Sequence, residues 1–257
     1  MTPKPFSLCL LPFAMVLVVA GCKSPFDRTR DASKGGGTGT ITATTNFVVF
    51  SSELVTGGGA FEYPGSQGQS LVFNDSSNPI SRRSIRYSWT GELVTNLGCP
   101  AQNPANLAGF DLQHAVNQSD YATAGRDLRA TGAGYTKVTF YARGSLSTYT
   151  VLKIEAASAG AVANACVPPD SPCMTLSAKG NAADDSCSSP GYAANPYAKP
   201  PEPLTATWQQ YSIPIPNSQL ANVRDFLKAT FVYTPAAYGA PTGQGGTVYF
   251  DQIQYEQ

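Results

Sequence analysis

Short runs in which apolar and polar residues alternate dominate the chain from residue 44 onward, and they constrain its fold more than any other feature. Alternation with a period of two is typical of half-buried β-strands, and no stretch keeps the period of about 3.6 residues that marks an amphipathic helix. Gly, Pro, Asn and Ser separate the runs, as expected where turns join strands. With 24 Gly and 20 Pro the chain has the residues for many turns. The pattern predicts an all-β protein.

Eight of these runs are rich in β-branched and aromatic residues and are predicted as strands. They are residues 46–50, 70–73, 84–89, 137–143, 150–156, 207–213, 227–233 and 247–255. Many short strands at irregular spacing are typical of sandwiches and jelly rolls. We therefore expect one jelly-roll β-sandwich domain over residues 44–257.

Alternation within the predicted strands also separates core positions from polar ones. The apolar set includes Ile85, Tyr87 and Trp89, whereas the opposite face is predicted to carry Arg86, Tyr141, Arg143, Lys153 and Glu155. Tyr and Arg stack on flat polar ligands and hydrogen-bond to them, so this face is a candidate ligand-binding surface. A solvated polar face is the alternative. Trp89 ends its strand, where its ring could stack on a ligand or close the core.

The first 43 residues predict export. Lys4 precedes an apolar run over residues 8–20 that is too short to span a bilayer, which fits a secretory signal over residues 1–21. Residues 19–22 (VAGC) resemble the lipobox of bacterial lipoproteins, which implies cleavage before Cys22 and its lipidation, palmitate included. An ordinary cleaved signal is the alternative. Residues 23–43 read as a flexible tether. Under the sorting rule of the lipoproteins that the motif resembles, Lys23 after the cysteine implies the outer membrane in a two-membrane bacterium.

Residues 158–203 interrupt the strand pattern with eight Pro and three Cys, and we predict a long Cys/Pro-rich insertion loop with one short strand at 174–177. In an exported domain, Cys99, Cys166, Cys173 and Cys187 predict disulfides rather than a metal site. Four cysteines allow three connectivities. The pairing we favour has one short bridge inside the insertion and one from Cys99.

The charge balance argues against nucleic acid as a partner. The chain has 17 basic and 17 acidic residues, and residues 44–257 alone have 12 basic and 15 acidic ones. A protein that neutralises phosphates needs a basic excess or a basic stripe.

Three motifs in order resemble galactose-binding-like β-sandwiches, the fold of many non-catalytic carbohydrate-binding modules. They are YTKVTFYARG at 135–144, WQQYSIPI at 208–215 and GTVYFDQIQYE at 246–256. With the opening run at 47–54, the resemblance covers most of residues 45–257 outside the insertion. It implies a polysaccharide or oligosaccharide partner, and it places Trp208 in the core.

The last motif predicts a β-bulge. Val248 and Phe250 share one parity, whereas Ile253 and Tyr255 have the other, so the strand must shift phase near Asp251. In the resembled family this Asp often ligates a structural calcium ion with an acidic residue after the first strand, here Glu53. In the alternative, Asp251 accepts hydrogen bonds from the bulge backbone.

His114 is the only histidine, and no GxSxG, HExxH or phosphate-loop motif accompanies it. The sequence thus predicts a lipid-anchored, non-catalytic envelope protein that binds a glycan. One alternative is a structural lipoprotein that binds an envelope protein. A glycan-acting enzyme is the other, because paired carboxylates need to be close only in space.

Overall fold

The computed structural model describes residues 46–62, 69–90, 107–114, 125–148, 150–159, 171–182, 185–187, 195–233 and 245–257. All of these belong to one compact unit, Ala43–Gln257. The predicted signal, Cys22 and the tether lie outside the described residues.

The described residues of this unit form twelve β-strands. They are β1 (Phe47–Phe50), β2 (Gly59–Glu62), β3 (Gln69–Asp75), β4 (Ser84–Trp89), β5 (Leu107–Gln113), β6 (Lys137–Leu146), β7 (Thr150–Ser158), β8 (Cys173–Ser177), β9 (Ala198–Pro203), β10 (Gln209–Pro214), β11 (Asp225–Tyr233) and β12 (Gly246–Glu256). Two short 3-10 helices, Leu128–Thr131 and Asn217–Ala221, accompany them. Within the described ranges no helix is long and apolar enough to cross a membrane.

The strands form two six-stranded sheets. The first has the order β10-β6-β12-β4-β3, with β1 also paired to β12, and the second has the order β2-β5-β11-β7-β8-β9. Aromatic side chains from both sheets pack in one core: the Tyr87 ring centroid of the first sheet lies 5.1 Å from that of Phe110 and 4.8 Å from that of Phe231 in the second. The predicted all-β jelly-roll sandwich is confirmed.

The sequence pattern missed three strands, and each lacks the usual strand composition. β2 begins at Gly59, β5 contains Gly109, and β9 (AKPPEP) contains three Pro. Proline is tolerated in β9 because this strand forms the edge of its sheet, where one side of the backbone needs no ladder hydrogen bonds.

The predicted insertion loop is partly wrong as well. Its β8 pairs antiparallel with β7, and its β9 pairs parallel with β8, so the insertion extends the second sheet by two strands. The expected short strand at 174–177 is confirmed as part of β8.

The predicted bulge in β12 is confirmed. Its register against β6 shifts between Asp251 and Gln254, and Gln252 takes a left-handed φ of 46°. Because of this shift, Val248 and Phe250 before the bulge and Ile253 and Tyr255 after it are all fully buried in the core, although the two pairs differ in parity.

Candidate functional site

The polar residues predicted to share one face lie on two opposite faces of the sandwich. Arg86, Tyr141 and Arg143 belong to strands of the first sheet, whereas Lys153 and Glu155 belong to β7 of the second. The expectation of a single face is therefore wrong. Alternation shows which side chains of one strand point away from the core, but it does not show to which sheet the strand belongs.

The outer face of the first sheet is called the loop face here. It carries Arg86, Tyr141, Arg143, Tyr249 and Asp251, and the loop between β3 and β4, residues 76–83, is attached to it. Tyr249 lies opposite Arg143 on one side and opposite Arg86 on the other. Cations and aromatic rings therefore alternate across neighbouring strands.

Asp251 fastens the loop to this face. Its carboxylate is fully buried and accepts four hydrogen bonds, from the Ile80 and Ser81 backbone N–H groups at 2.9 Å each, from Ser81 Oγ at 2.7 Å and from Gln252 N–H at 2.8 Å. A buried carboxylate needs such donors because an unpaired one is costly. Asp251 thus links the loop to the bulge.

Arg143 holds the same loop through its guanidinium. Its Cζ atom lies 4.0 Å from the Tyr249 ring centroid and 5.1 Å from that of Trp208, while Nη2 donates to Ser77 O at 2.6 Å. Trp208 Nε1 donates to Asn78 O at 2.8 Å. Cation–π contacts of this kind contribute about 0.5–2 kcal/mol each. The Arg143 side chain is therefore engaged with the protein itself.

Trp208 is not in the core, contrary to the expectation from the resemblance. It is half-buried on the loop face, because it precedes β10 and its indole N–H reaches a loop carbonyl rather than the sandwich interior.

At the rim of the same face, Asp75 pairs with Arg86, whose Nη1 lies 3.4 Å from Asp75 Oδ2. Burial alone would raise the pKa of Asp75, but hydrogen bonds from Ser77 and the charges of Arg86 and Arg143 lower it overall. This carboxylate is thus kept ionised at the base of the loop. Tyr141 is half-buried beside this network, and its side chain makes no hydrogen bond or ring contact to another described residue.

The residues expected to hold calcium do not fit a cation. Both oxygens of Asp251 face N–H and O–H donors, and Glu53 is exposed. Calcium prefers six to eight oxygen ligands. In the described part of the chain no group of three or more His, Cys, Asp and Glu side chains could hold a metal ion. The contacts of Asp251 match the alternative, a carboxylate that accepts hydrogen bonds at the bulge.

Trp89 does not lie on an open face. Only 3% of it is exposed, and its ring stacks on Phe231 at 5.9 Å in the core. The candidate role in ligand stacking is wrong because Trp89 has the parity of Ile85 and Tyr87, which point into the sandwich.

The outer face of the second sheet is called the charged face here. It carries Asp111 and Gln113 of β5, Lys228 and Thr230 of β11, and Lys153 and Glu155 of β7. Strand register places Asp111 opposite Lys228 and Lys228 opposite Glu155. An acid, a base and an acid thus alternate across the three central strands, with Thr230 opposite Lys153 in the next row.

Burial strengthens the interactions within this row. Burial by itself would raise the pKa of Glu155, but the charges of Lys153 and Lys228, together with the hydrogen bond from Ser171, lower it below its ordinary value. Burial would lower the pKa of Lys228, but Glu155, Asp111 and Asp225 raise it. Both groups of the pair are therefore held in their charged forms.

Three buried oxygen atoms on the charged face accept no hydrogen bond. They are Glu155 Oε2, Thr230 Oγ1 and Gln113 Oε1. Lys153 Nζ forms an ion pair with Oε2 at 3.3 Å, but it lies outside hydrogen-bonding geometry. Thr230 Oγ1 and Gln113 Oε1 have neither a hydrogen bond nor an ion pair, and each such buried acceptor costs about 1–3 kcal/mol.

The insertion borders the charged face. The disulfide Cys173–Cys187 confirms the short bridge expected inside it, and Cys173 lies opposite Glu155 in the register of β7 and β8. Cys99 and Cys166, the other predicted disulfide cysteines, lie outside the described residues.

His114 has no acidic partner among the described residues. Its pKa is lowered by burial and by the neighbouring charges of Arg126 and Arg224. A catalytic His usually needs a carboxylate that orients it and stabilises its cation.

The sequence analysis missed Asp111, Lys228 and Thr230. Lys228 and Thr230 alternate with apolar residues in a predicted strand, so the signal was present in LKATF. Asp111 lies in β5, which was not predicted, and its place beside Lys228 follows only from strand order.

Comparison with known proteins gives structural likenesses alone. No protein-family model and no curated protein matches the chain. Among solved structures, a family 11 carbohydrate-binding module from Clostridium thermocellum, in complex with a β-1,3-1,4-mixed-linked tetrasaccharide, is 13% identical, covers 82% of this chain and 95% of its own, and has a TM-score of 0.38.

A family 30 carbohydrate-binding module of a Clostridium thermocellum cellulosomal cellulase is 10% identical, covers 83% of this chain and 98% of its own, and has a TM-score of 0.39. The K1 cleaved adhesin domain of Lys-gingipain from Porphyromonas gingivalis is 12% identical, covers 82% of this chain and 98% of its own, and has a TM-score of 0.39. At such identities and TM-scores, we transfer no function from them.

Proposed function

We propose that this protein is a lipid-anchored envelope protein whose sandwich binds a glycan on the charged face, without catalysis. The observation that carries the proposal is the buried row Asp111, Lys228 and Glu155 with its neighbouring acceptors that lack donors. A sugar hydroxyl both donates and accepts a hydrogen bond. One hydroxyl can therefore donate to Glu155 while it accepts from a lysine.

The alternation of charge favours a neutral glycan. Lys153 and Lys228 would attract carboxylates of an acidic polysaccharide, but Asp111 and Glu155 lie beside them in the same rows and would repel such groups. Neutral hydroxyls meet no such penalty.

The electrostatics of the row favour binding over hydrolysis. A glycosidase needs a carboxylic acid whose pKa is raised so that it can protonate the leaving group. The pKa of Glu155 is instead lowered, and a lysine separates it from Asp111. An enzyme that acts on glycans is therefore the weaker alternative.

Affinity electrophoresis of the purified full chain through gels that contain soluble neutral polysaccharides tests the binding site. We expect one of them to retard the wild type, and we expect Glu155→Gln to lose at least tenfold in affinity. Tyr141→Ala on the loop face is the control and should bind as wild type. Loss of binding in Tyr141→Ala alone would move the site to the loop face, and no retardation by any polysaccharide would contradict glycan binding.

The lipid anchor rests on the lipobox at residues 19–22. Two or more acyl chains anchor a protein firmly. We expect the wild type to partition into detergent and to incorporate labelled palmitate, and Cys22→Ser to do neither. A wild type that is cleaved and freely soluble would contradict the anchor. Fractionation of the membranes of a two-membrane host tests the outer-membrane location.

Binding of an envelope protein is the second candidate, favoured by one observation. A groove of about 690 Å³ opens beside the edge strands β2 and β3, with apolar walls that include Leu54, Leu71 and Phe73. Open strand edges and apolar grooves accept extended peptides. Cross-linking from a photoreactive residue at position 72 would detect such a partner; capture there, together with a negative polysaccharide panel, would favour this candidate.

A further inference from the structure

The insertion reaches the charged face at Ser171, two residues before the start of β8. This side chain is buried, and its Oγ atom donates a hydrogen bond to Glu155 Oε1 at 3.2 Å. The two oxygens of Glu155 therefore have different neighbours: Ser171 at Oε1, and Lys153 Nζ at 3.3 Å from Oε2. This division fixes the orientation of the carboxylate, and Oε2 is the oxygen without a hydrogen-bond donor.

Ser171 is itself held by later parts of the insertion. Asn195 Nδ2 donates to Ser171 O at 3.0 Å, and Asn195 Oδ1 accepts from Tyr197 N–H at 2.9 Å. Two residues after Ser171, the Cys173 N–H donates a hydrogen bond to Tyr197 O at 3.3 Å. Cys173 also forms the disulfide with Cys187. The stretch from Ser171 to Cys173 is thus joined to residues 195–197 by hydrogen bonds and to Cys187 by the disulfide.

We propose that Ser171 is a positioning residue for the glycan site, which keeps the Glu155 carboxylate oriented so that its second oxygen accepts from a sugar hydroxyl. The inference rests on the proposed function of the charged face. It gives the insertion a specific task, because Ser171 and the groups that hold it all belong to residues 158–203.

The chemistry of the hydrogen bond makes the role measurable. A donor to a carboxylate stabilises the ionised form, so removal of the Ser171 hydroxyl should raise the pKa of Glu155. The other charged groups around this carboxylate are Lys153 on its own strand and Lys228 on β11, with Asp111 and Asp225 beyond Lys228; β8 presents the bridged Cys173. None of these changes in a Ser171 variant.

The experiment compares Ser171→Ala, Ser171→Thr and the control Ser186→Ala in the full chain. Ser186 lies in the same insertion and bonds Thr175 Oγ1 at 3.0 Å, away from Glu155. The probe is the neutral polysaccharide that most retards the wild type, measured by affinity electrophoresis across a pH series. The pKa of Glu155 is measured in parallel by carbon-13 NMR of its carboxyl group.

We expect Ser171→Ala to weaken binding about fivefold or more at pH 7 and to move the acid loss of binding to higher pH. Ser171→Thr should restore both, and Ser186→Ala should match the wild type. Wild-type affinity in Ser171→Ala would overturn the proposal. Equal losses in Ser171→Ala and Ser171→Thr with an unchanged pKa of Glu155 would also overturn it, since that pattern indicates a structural role only.

The two failures are distinguishable. If no polysaccharide retards the wild type, the proposed function fails and the positioning role fails with it, whatever the NMR titration shows. If the wild type binds and Glu155→Gln does not, but Ser171→Ala binds normally, the glycan site stands and only the role of Ser171 is wrong.

Discussion

The two outer faces of this sandwich both carry Arg or Lys beside Asp or Glu, yet the protein uses them differently. On the loop face, Asp251 and Arg143 are directed at the backbone of residues 77–81, so their hydrogen bonds are completed within the chain. On the charged face, Lys228 and Glu155 are neighbours in one row, and one oxygen of each of Glu155 (Oε2) and Thr230 (Oγ1) accepts no hydrogen bond. The difference teaches that polar composition alone does not mark a binding face; what matters is whether the protein already supplies the partners.

The buried polar atoms that have no hydrogen-bond partner also differ between the two faces. On the loop face the buried atoms without a partner are donors, Nε of Arg86 and of Arg143, on guanidinium groups whose other nitrogens are engaged. On the charged face they are acceptors in the middle of the sheet. The loop of residues 76–83 already lies against the guanidinium groups of the loop face. The acceptors of the charged face are the atoms that would receive sugar hydroxyls in the proposed function.

The largest effect should come from Asp251→Ala on the loop face. The change leaves the N–H groups of Ile80, Ser81 and Gln252 without their charged acceptor, so we expect the free energy of unfolding to fall by about 4 kcal/mol in urea denaturation. Glu53→Ala should have almost no effect, and a chelator should leave the melting temperature unchanged. A melting temperature lowered by chelation in the wild type but not in Asp251→Ala would instead support the calcium hypothesis.

Lys228→Met should have the next largest effect and tests the charged face. It leaves Glu155 and Asp111 without the cation between them, and we expect a loss of about 3 kcal/mol at pH 7. Because the pKa of Glu155 is lowered in the folded protein, its stabilisation is present above its ordinary pKa of 4.5 and is lost as pH falls through the lowered value. In Lys228→Met this acid loss should begin at higher pH.

Lys137→Met is the matched control for that experiment. Lys137 pairs with Glu256 at 3.4 Å, but 40% of its side chain is exposed, so the same substitution should change stability by less than about 1 kcal/mol. Equal effects of the two substitutions would show that the row on the charged face has no special electrostatic coupling.

Arg143→Lys should cost about 1–2 kcal/mol of stability. The substitution keeps the positive charge but removes the planar group that stacks on Tyr249 and Trp208. Glycan binding should be unchanged, as measured by affinity electrophoresis. Arg129→Lys, at an exposed pair with Asp127, is the control. A loss of binding in Arg143→Lys without a loss of stability would reverse the roles assigned to the two faces.

Trp89→Phe should have the smallest effect, about 1 kcal/mol or less. The smaller ring leaves a small cavity against Phe231, but it also removes an indole N–H that is buried without an acceptor. Thermal denaturation measures the change, and polysaccharide binding should stay at the wild-type level. Loss of binding would mean that Trp89 reaches the ligand after all.

Much of the fold was predictable because it follows from local pattern. Alternation identified eight of the twelve strands by residue number and a ninth, β8, as a short strand in the insertion, and the change of parity around Asp251 predicted the bulge of β12. β2, β5 and β9 were not predicted because Gly59, Gly109 and the prolines of β9 are atypical of strands. Their place is decided by the neighbours with which they pair.

The candidate site was predictable only in part. Lys153 and Glu155 were correctly predicted to point away from the core, but their partners Asp111 and Lys228 come from strands that are distant in sequence and adjacent in the sheet. Trp208 shows the same limit: its motif predicted a core position, whereas its hydrogen bond to Asn78 keeps it on the loop face.

The sequence by itself determined the all-β class, the strands of clear alternation, the bulge of β12 and, within those strands, which side chains point toward the core. It favoured a short disulfide inside the insertion without fixing which cysteines form it. These are properties of neighbouring residues, which a linear pattern records. The tertiary structure alone decided which strands share a sheet, and hence that Arg143 lies opposite Tyr249 while Glu155 lies opposite Lys228. The physical reason is that strand order depends on the burial of both sheets at once, a sum over contacts that no single segment contains.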